Sequence, residues 1–337
     1  MRHMVSIQKV KDIRSIIGAD FIEVCVINGW EVVVKVGEFK VGDMVVFFEI
    51  DSFIPYELVS WMEKGNKVRE YNNRRGFRLR TVKLRNTVSQ GLVLPIDILS
   101  EFEYDMIENY DVSQLLNVEK YCVEDSELGG DMLDWFPEKL IPKTDEVRIQ
   151  NVYDILCEKY YNTAFDVTEK LDGASCTIVR YENESKVCGR NYALKEGGTQ
   201  WKFHDIMLPF LEGKNIGIQG EICGYKIQKN SLKLNKPVLF IFSIYLIDEK
   251  RYLTQNEREE MFKIMSNTCE LNDDIRLVPY FGKVYPFRQD LHKLLHASEG
   301  KTIGGVDREG LVYELIIDGK RTSFKVINNQ FLLKEQD

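Results

Sequence analysis

In the first hundred residues, apolar positions come in short runs cut by glycine, asparagine and aspartate. Val24-Cys-Val-Ile27 and Trp30-Glu-Val-Val-Val-Lys-Val36 flank Asn28-Gly29, a pair that tolerates the positive φ angles of a tight hairpin turn. Gly37 and Val41-Gly42-Asp43 mark further turns, and Met44-Val-Val-Phe-Phe-Glu-Ile50 reads as the next strand. Later short strands fit residues 76 to 84 and 91 to 95. Short strands with frequent turns predict a small barrel or sandwich, and an OB-like β-barrel is a natural candidate.

The second half mixes periods. Apolar runs predict strands over residues 164–168, 174–181, 216–222, 238–247, 310–317 and 322–327. Thr254-Gln-Asn-Glu257 is a capping box, followed by Met261, Ile264 and Met265 at helical spacing. A second helix fits residues 288–297. No internal repeat or sustained heptad interrupts this pattern. The fold class is therefore α+β: an N-terminal OB-like β-barrel, then a domain of antiparallel sheets with flanking helices.

The 337 residues leave room for two domains, and 44% hydrophobic residues are enough for real cores. No apolar run approaches 18 residues, and the N-terminus lacks the apolar core of a signal peptide. No membrane span and an intracellular location are therefore expected. Seven scattered cysteines without a C-x-x-C pair argue for reduced thiols and against a disulfide framework or a zinc site.

Net charge is −8, which argues against a general basic coat. The distribution is uneven. Residues 64–85 hold nine basic side chains against Glu70 alone, with Tyr71 and Phe77 interleaved. Within that stretch Arg74, Arg75 and Arg78 are candidates for contact with nucleic acid; a solvated basic face is the alternative. Residues 101–146 hold fourteen acidic side chains against three lysines, with Gly129-Gly130 and Pro137. They read as a connecting region, partly helical, with the boundary near residues 125–140. The domains are drawn as 1–125 and 126–337.

The most informative short segment is Thr168-Glu169-Lys170-Leu-Asp172-Gly173. A lysine at a strand end, before an Asp-Gly turn, is an amine nucleophile if it loses its proton. The ordinary lysine pKa is about 10.4, so a neighbouring metal or arginine must disfavour the ammonium. Asp172 is placed to hold a metal's waters. K-x-D-G alone arises by chance in about one chain in ten of this length, so the segments that follow carry the argument. Val187-Cys-Gly-Arg190-Asn supplies a guanidinium for phosphate. Gln219-Gly-Glu221-Ile and Arg308-Glu309-Gly310 supply two carboxylates in or beside strands. Leu239-Phe-Ile-Phe242 supplies an aromatic ring, and Ser323-Phe-Lys325-Val-Ile a late cation.

In this order, these segments resemble the covalent nucleotidyltransferases: polynucleotide ligases and mRNA-capping guanylyltransferases. The likeness covers all six signature segments, from Lys170 to Lys325. Trp135-Phe-Pro-Glu-Lys-Leu-Ile-Pro-Lys-Thr-Asp-Glu-Val-Arg148-Ile-Gln-Asn151 and Val41-Gly-Asp-Met-Val-Val-Phe-Phe-Glu-Ile-Asp-Ser-Phe-Ile-Pro55 are similar to RNA ligases of the Deinococcus and Naegleria type, which carry an OB domain first.

The resemblance implies an ATP-dependent RNA ligase that uses Mg2+ or Mn2+. Lys170 would take AMP from ATP, pass it to a 5′-phosphate, and allow a 3′-hydroxyl to seal the strand. RNA or an RNA-containing duplex would be the partner, with sealing at nicks and RNA needed on the 3′-hydroxyl side; no obligatory protein partner is evident. Glu169 would hold the adenine through its backbone, and Phe242 would stack on it. Arg190 and Glu221 would hold the ribose and phosphate region, with Gly173 at the turn. Lys325 would contact the α-phosphate, and Arg148 would steer the β- and γ-phosphates. Asp172, Glu221 and Glu309 would position the metal, largely through its waters.

Three features depart from the wider pattern. Ser175 stands where DNA ligases usually carry arginine. Ile327 stands where a second lysine often follows the first, so another residue would have to serve. Only nine residues follow Asn328, so an OB domain after the catalytic core is not expected. Two rivals remain: a GTP-using capping-type guanylyltransferase, separated by nucleotide preference, and a non-catalytic OB-fold nucleic-acid-binding protein, for which Lys170 would be dispensable.

Overall fold

The computed structural model describes residues 3–121 and 131–334. These fall into two compact units: residues 3–121 with 149–153 and 332–334, and residues 131–148 with 154–331. The expected division at residue 125 lies outside the described residues.

The first unit is built from β1 (Val5–Ser15), β2 (Ile22–Ile27), β3 (Trp30–Lys35), β4 (Met44–Phe48), β5 (Ser52–Pro55), β6 (Arg69–Tyr71), β7 (Arg74–Arg78), β8 (Val82–Leu84), β9 (Thr87–Ser89), β10 (Leu92–Pro95) and β11 (Glu119–Lys120). One antiparallel sheet runs β10-β4-β1-β2-β3, a second β11-β5-β7-β6, and β8-β9 forms a ribbon of its own. The curled sheets are those of an OB-fold. Alternation explains the core: Val5, Ile7, Val46, Phe48, Ile54 and Phe77 all turn inward. The Asn28-Gly29 hairpin forms as expected, with Ile27 opposite Trp30 and Asn28 at φ +52°.

The expected strand over 76–84 is two strands. β7 ends at Arg78, and β8 turns back on β9 through Arg85 and Asn86, at φ +47° and +67°. The acidic stretch also differs from expectation. Its described residues hold short strands and no α-helix; Pro137 and Pro142 remove amide donors there, and like charges crowd one another.

The second unit adds β12 (Met132–Trp135), β13 (Val147–Arg148), α1 (Ile149–Tyr160, whose first turn groups with the first unit), β14 (Phe165–Lys170), β15 (Ala174–Tyr181), β16 (Glu184–Cys188), β17 (Tyr192–Leu194), α2 (Thr199–Leu211), β18 (Ile216–Cys223), β19 (Val238–Leu246), β20 (Arg251–Tyr252), α3 (Gln255–Thr268), β21 (Ile275–Leu277), β22 (Tyr280–Val284), α4 (Leu291–Ala297), β23 (Gly310–Ile317), β24 (Lys320–Ile327) and α5 (Asn329–Leu333, whose last two residues group with the first unit). Eight strands form one sheet, with β18 central between β15 and β19; five form another, ordered β13-β24-β23-β14-β22. The sheets are antiparallel except that β13 runs parallel to β24 and β21 to β19.

Helices α2 and α3 cover the larger sheet. Met207, Phe210 and Met265 meet Ile178, Ile218 and Ile241 there. The capping box is real: the Glu257 amide donates to Thr254 Oγ1 (3.4 Å), and the Thr254 amide donates to Glu257 Oε2 (2.8 Å). The second expected helix starts later. Asp290 caps α4 through the Lys293 amide at 2.8 Å, after a single 3-10 turn at Pro286–Arg288. Among the described residues no helix is long and apolar enough to cross a membrane. The six described cysteines are free.

Candidate active site

Strand register builds the site. Lys170 ends β14 opposite Gly310 of β23, which puts the preceding Glu309 beside it. Lys170 Nζ lies 2.7 Å from Glu309 Oε1. Ser175 of β15 pairs with Glu221 of β18, carrying the second carboxylate to the same place. The turn between β14 and β15 needs glycine at 173. A Cβ there would lie 2.3 Å from the Ile222 carbonyl oxygen and 3.0 Å from Glu221 Cγ. Lys325 stands on β24, and Phe242 on β19, beside the buried Leu171, Cys223 and Val278.

These elements enclose a cavity of about 310 Å³. Nine of the ten expected nucleotide residues line it: Glu169, Lys170, Asp172, Gly173, Arg190, Glu221, Phe242, Glu309 and Lys325. Arg148 does not. It is buried on β13, directly opposite Lys325 in the parallel pairing. Arg190 is half-exposed and bonds Asp145 at 2.7 Å. The Glu169 amide donates to the Pro279 carbonyl at 2.9 Å, so a further backbone contact from Glu169 falls to its carbonyl.

The electrostatics follow from burial and like charge. Burial disfavours the Lys170 ammonium, but Glu309 and Glu221 outweigh it and hold the pKa above the ordinary lysine value. The amine pairs with Glu309, and the depressed pKa expected from the sequence depended on a metal or arginine beside it. The groups facing Nζ are carboxylates, while Arg190 is turned to Asp145. Burial pushes Glu221 up to about 8; Lys170 opposes this, and Glu309 and Asp172 add to it. Burial also raises Glu169, against the pull of Arg308, and its Oε1 has no hydrogen-bond partner among the described residues.

A pH effect follows. Between the ordinary 4.5 and about 8, folded Glu221 keeps a proton that the unfolded chain has lost. Stability of the metal-free protein therefore falls as pH rises through that window. Thermal melts of wild type and Glu221→Gln from pH 5 to 8.5 check this: the glutamine variant should show the flatter profile.

The three carboxylates suit a hard divalent cation, but as partners of its waters. Among the described residues no group of three or more His, Cys, Asp or Glu side chains stands close enough to hold an ion directly. A small hydrated cation that keeps several waters fits oxygen donors spaced like these.

Sequence reasoning missed the cavity's far wall. Glu314 accepts from Arg321 Nε at 2.5 Å and from Arg258 Nη1 at 3.1 Å, and Arg321 Nη2 reaches Glu146 at 2.8 Å. Arg258 also donates to the Phe242 carbonyl at 2.5 Å. Glu314, Arg321 and Glu146 line the cavity. Two-residue periodicity puts Arg321, Ser323 and Lys325 on one face of β24. Beside Lys325, the second cation from this strand on the cavity wall is therefore Arg321, not a residue at 327, where Ile327 is buried. The usable signal was Glu314 inside the apolar run Leu311–Ile317.

The candidate nucleic-acid arginines lie in the first unit, each with an internal partner. Arg74 pairs with Glu119 and donates to the Asn117 carbonyl at 2.7 Å. Arg75 lies 4.3 Å over Tyr56 and 3.5 Å from Glu63. Arg78 bonds Asp51 at 3.1 Å.

An OB domain followed in the chain by a sheet domain whose cavity gathers a lysine, three carboxylates and an arginine is the organisation of a polynucleotide ligase. A family model described as an OB-fold domain matches residues 4–96, and one described as RNA ligase matches residues 163–327. Solved structures of Naegleria gruberi RNA ligase are similar over the whole length. One variant without ligand is 36% identical at a TM-score of 0.90, covering 99% of both chains. A variant solved with ATP and manganese is 36% identical at 0.89, covering 98% of this chain and 99% of that one. Another, with AMP and manganese, is 36% identical at 0.89, covering 99% of each. Comparison with the curated proteins finds no match. The chain belongs to the RNA ligase family.

Proposed function

We propose that the protein is an ATP-dependent RNA ligase working through lysyl-AMP. The observation that carries this is the Lys170 amine inside the cavity, 2.7 Å from Glu309 and flanked by Glu221. After losing its proton, Lys170 Nζ attacks the α-phosphorus of ATP. An N–P bond forms, the bond to the bridging oxygen breaks, and pyrophosphate leaves. A 5′-phosphate oxygen then displaces Lys170, joining AMP to the strand. A 3′-hydroxyl attacks the 5′-phosphorus, and AMP departs.

Transfers of this kind are driven by alignment and charge neutralisation. Phe242 offers a face for adenine. Arg190 and Lys325 offset phosphate charge, and Arg148, buried beside Lys325 and outside the cavity lining, adds positive charge behind it. Asp172, Glu221 and Glu309 would hold a hydrated magnesium or manganese through its waters, and its charge would weaken their grip on the Lys170 proton. The substrate is a 3′-hydroxyl/5′-phosphate nick in an RNA-containing duplex. The solved relatives with ATP, AMP and manganese support the nucleotide and metal.

Intact-protein mass after incubation with magnesium and either ATP or GTP tests this. One AMP per chain is expected from ATP and no adduct from GTP. A GMP adduct alone would instead mark a capping-type enzyme.

A further inference from the structure

The basic stretch of the first unit divides in two. Arg74, Arg75 and Arg78 spend their charge on Glu119, Glu63 and Asp51. The ribbon that follows does not. Its register sets Val82 opposite Ser89, Lys83 opposite Val88 and Leu84 opposite Thr87. Residues 82–86 are exposed throughout, and the apolar Val82 and Leu84 are 41% and 43% open. Lys83 and Arg85 make no ion pair among the described residues. No acidic residue occurs anywhere from 71 to 96.

The base of the ribbon is fixed. Ser89 Oγ accepts from the Val33 amide at 3.0 Å, the Gln90 amide donates to the Glu31 carbonyl at 2.8 Å, and Gln90 Nε2 donates to Thr81 Oγ1 at 3.2 Å. Thr81, Ser89 and Gln90 are buried. A two-stranded ribbon gains little from its own pairing, so these anchors hold the partly buried β9 in place and leave β8 and the tip exposed. Its tip is an arginine in the left-handed region, where a side chain other than Asn or Gly is unfavourable.

We propose that the ribbon Val82–Ser89 is an arm that docks on the backbone of an RNA-containing duplex. Lys83 and Arg85 meet phosphates, and Val82 and Leu84, on one face, lie against the sugars. The positive, acid-free surface complements a polyanion. The wide, shallow minor groove of an A-form helix admits such a ribbon. A single strand is the poorer occupant: it is held by aromatic platforms, and no aromatic residue occurs between Phe77 and Phe102. This inference deepens the ligase reading and rests on it.

The test compares wild type, Lys83→Ala/Arg85→Ala and Val82→Ser/Leu84→Ser as full chains. Binding to a labelled nicked duplex with an RNA 3′-hydroxyl strand is followed by anisotropy from low to moderate salt, with the single strand in parallel. AMP attachment from ATP is measured separately. For the charge variant, affinity at low salt should fall about 10- to 100-fold, and the salt slope should be shallower by roughly two phosphate contacts. AMP attachment should stay within twofold of wild type. The apolar variant should bind more weakly with an unchanged slope. A folded charge variant with wild-type affinity and slope overturns the arm. So does wild-type binding to the single strand only, while AMP attachment leaves the ligase reading standing. Failure of wild type to attach AMP defeats the ligase reading instead.

Discussion

Lys170→Ala protein, mixed with ATP and a divalent metal, should gain no AMP by intact mass, and its sealing of a 5′-phosphate nick should fall by at least about 10³-fold, a loss of roughly 4 kcal/mol in transition-state stabilisation. The reasoning is geometric. Lys170 is the amine held against Glu309 and Glu221 inside the cavity, and alanine leaves nothing there to form the N–P bond. Lys170→Arg sharpens the test. A guanidinium keeps the ion pair with Glu309 yet does not deprotonate in a protein, so it should fold like wild type and also form no adduct. A nick supplied with AMP already on its 5′-phosphate bypasses the first two transfers. Both variants should seal it far better than an ordinary nick. An AMP adduct on either variant would remove Lys170 from the nucleophile's role.

The lysine was legible because its neighbours in sequence, Glu169, Asp172 and Gly173, are its neighbours in space. The distant carboxylates were legible for a different reason. Glu221 and Glu309 are charges set into or beside apolar strands, and antiparallel register carries both to Lys170. The protonation state was not legible, since it depends on which groups face Nζ. Sequence order cannot say that Arg190 turns to Asp145 while Glu309 turns to the lysine. Arg148 was read as steering the β- and γ-phosphates; its burial on β13 next to Lys325 was not legible. In the first unit the strands around the Asn28-Gly29 hairpin and over 44–50 were legible, but β1, β5 and β6 were not read, and the Arg85-Asn86 turn escaped notice because arginine is a poor turn signal. The charge count over 64–85 was right as a sum, but it could not separate arginines paired with Glu119, Glu63 and Asp51 from the open pair Lys83 and Arg85.

The buried charges behind the cavity should prove costly to break. Arg258 and Glu314 are 2% and 6% exposed, and Arg321 and Glu146 8% and 13%. Burial alone would raise the Glu314 pKa, yet Arg321 and Arg258 hold it below the ordinary carboxylate value. The four charges cancel in sign, so the group is stable only when complete. Glu314→Ala leaves two guanidinium groups facing each other out of water, and removing one partner of such a network costs about 3–5 kcal/mol. At roughly 2–4 °C per kcal/mol for a domain of this size, the catalytic unit's melting transition should drop on the order of 10 °C. Glu314→Ala combined with Arg258→Met should recover part of that loss, because the second change removes one of the stranded charges. The network also reaches the cavity proposed for the nucleotide. Arg258 bonds the Phe242 carbonyl, and Glu314 and Arg321 line the cavity. At a temperature where Glu314→Ala is still folded, its KM for ATP in AMP attachment should rise several-fold, and more than its maximal rate falls. A melting point and KM both equal to wild type would show that these charges neither hold the unit together nor place the strand that carries Phe242.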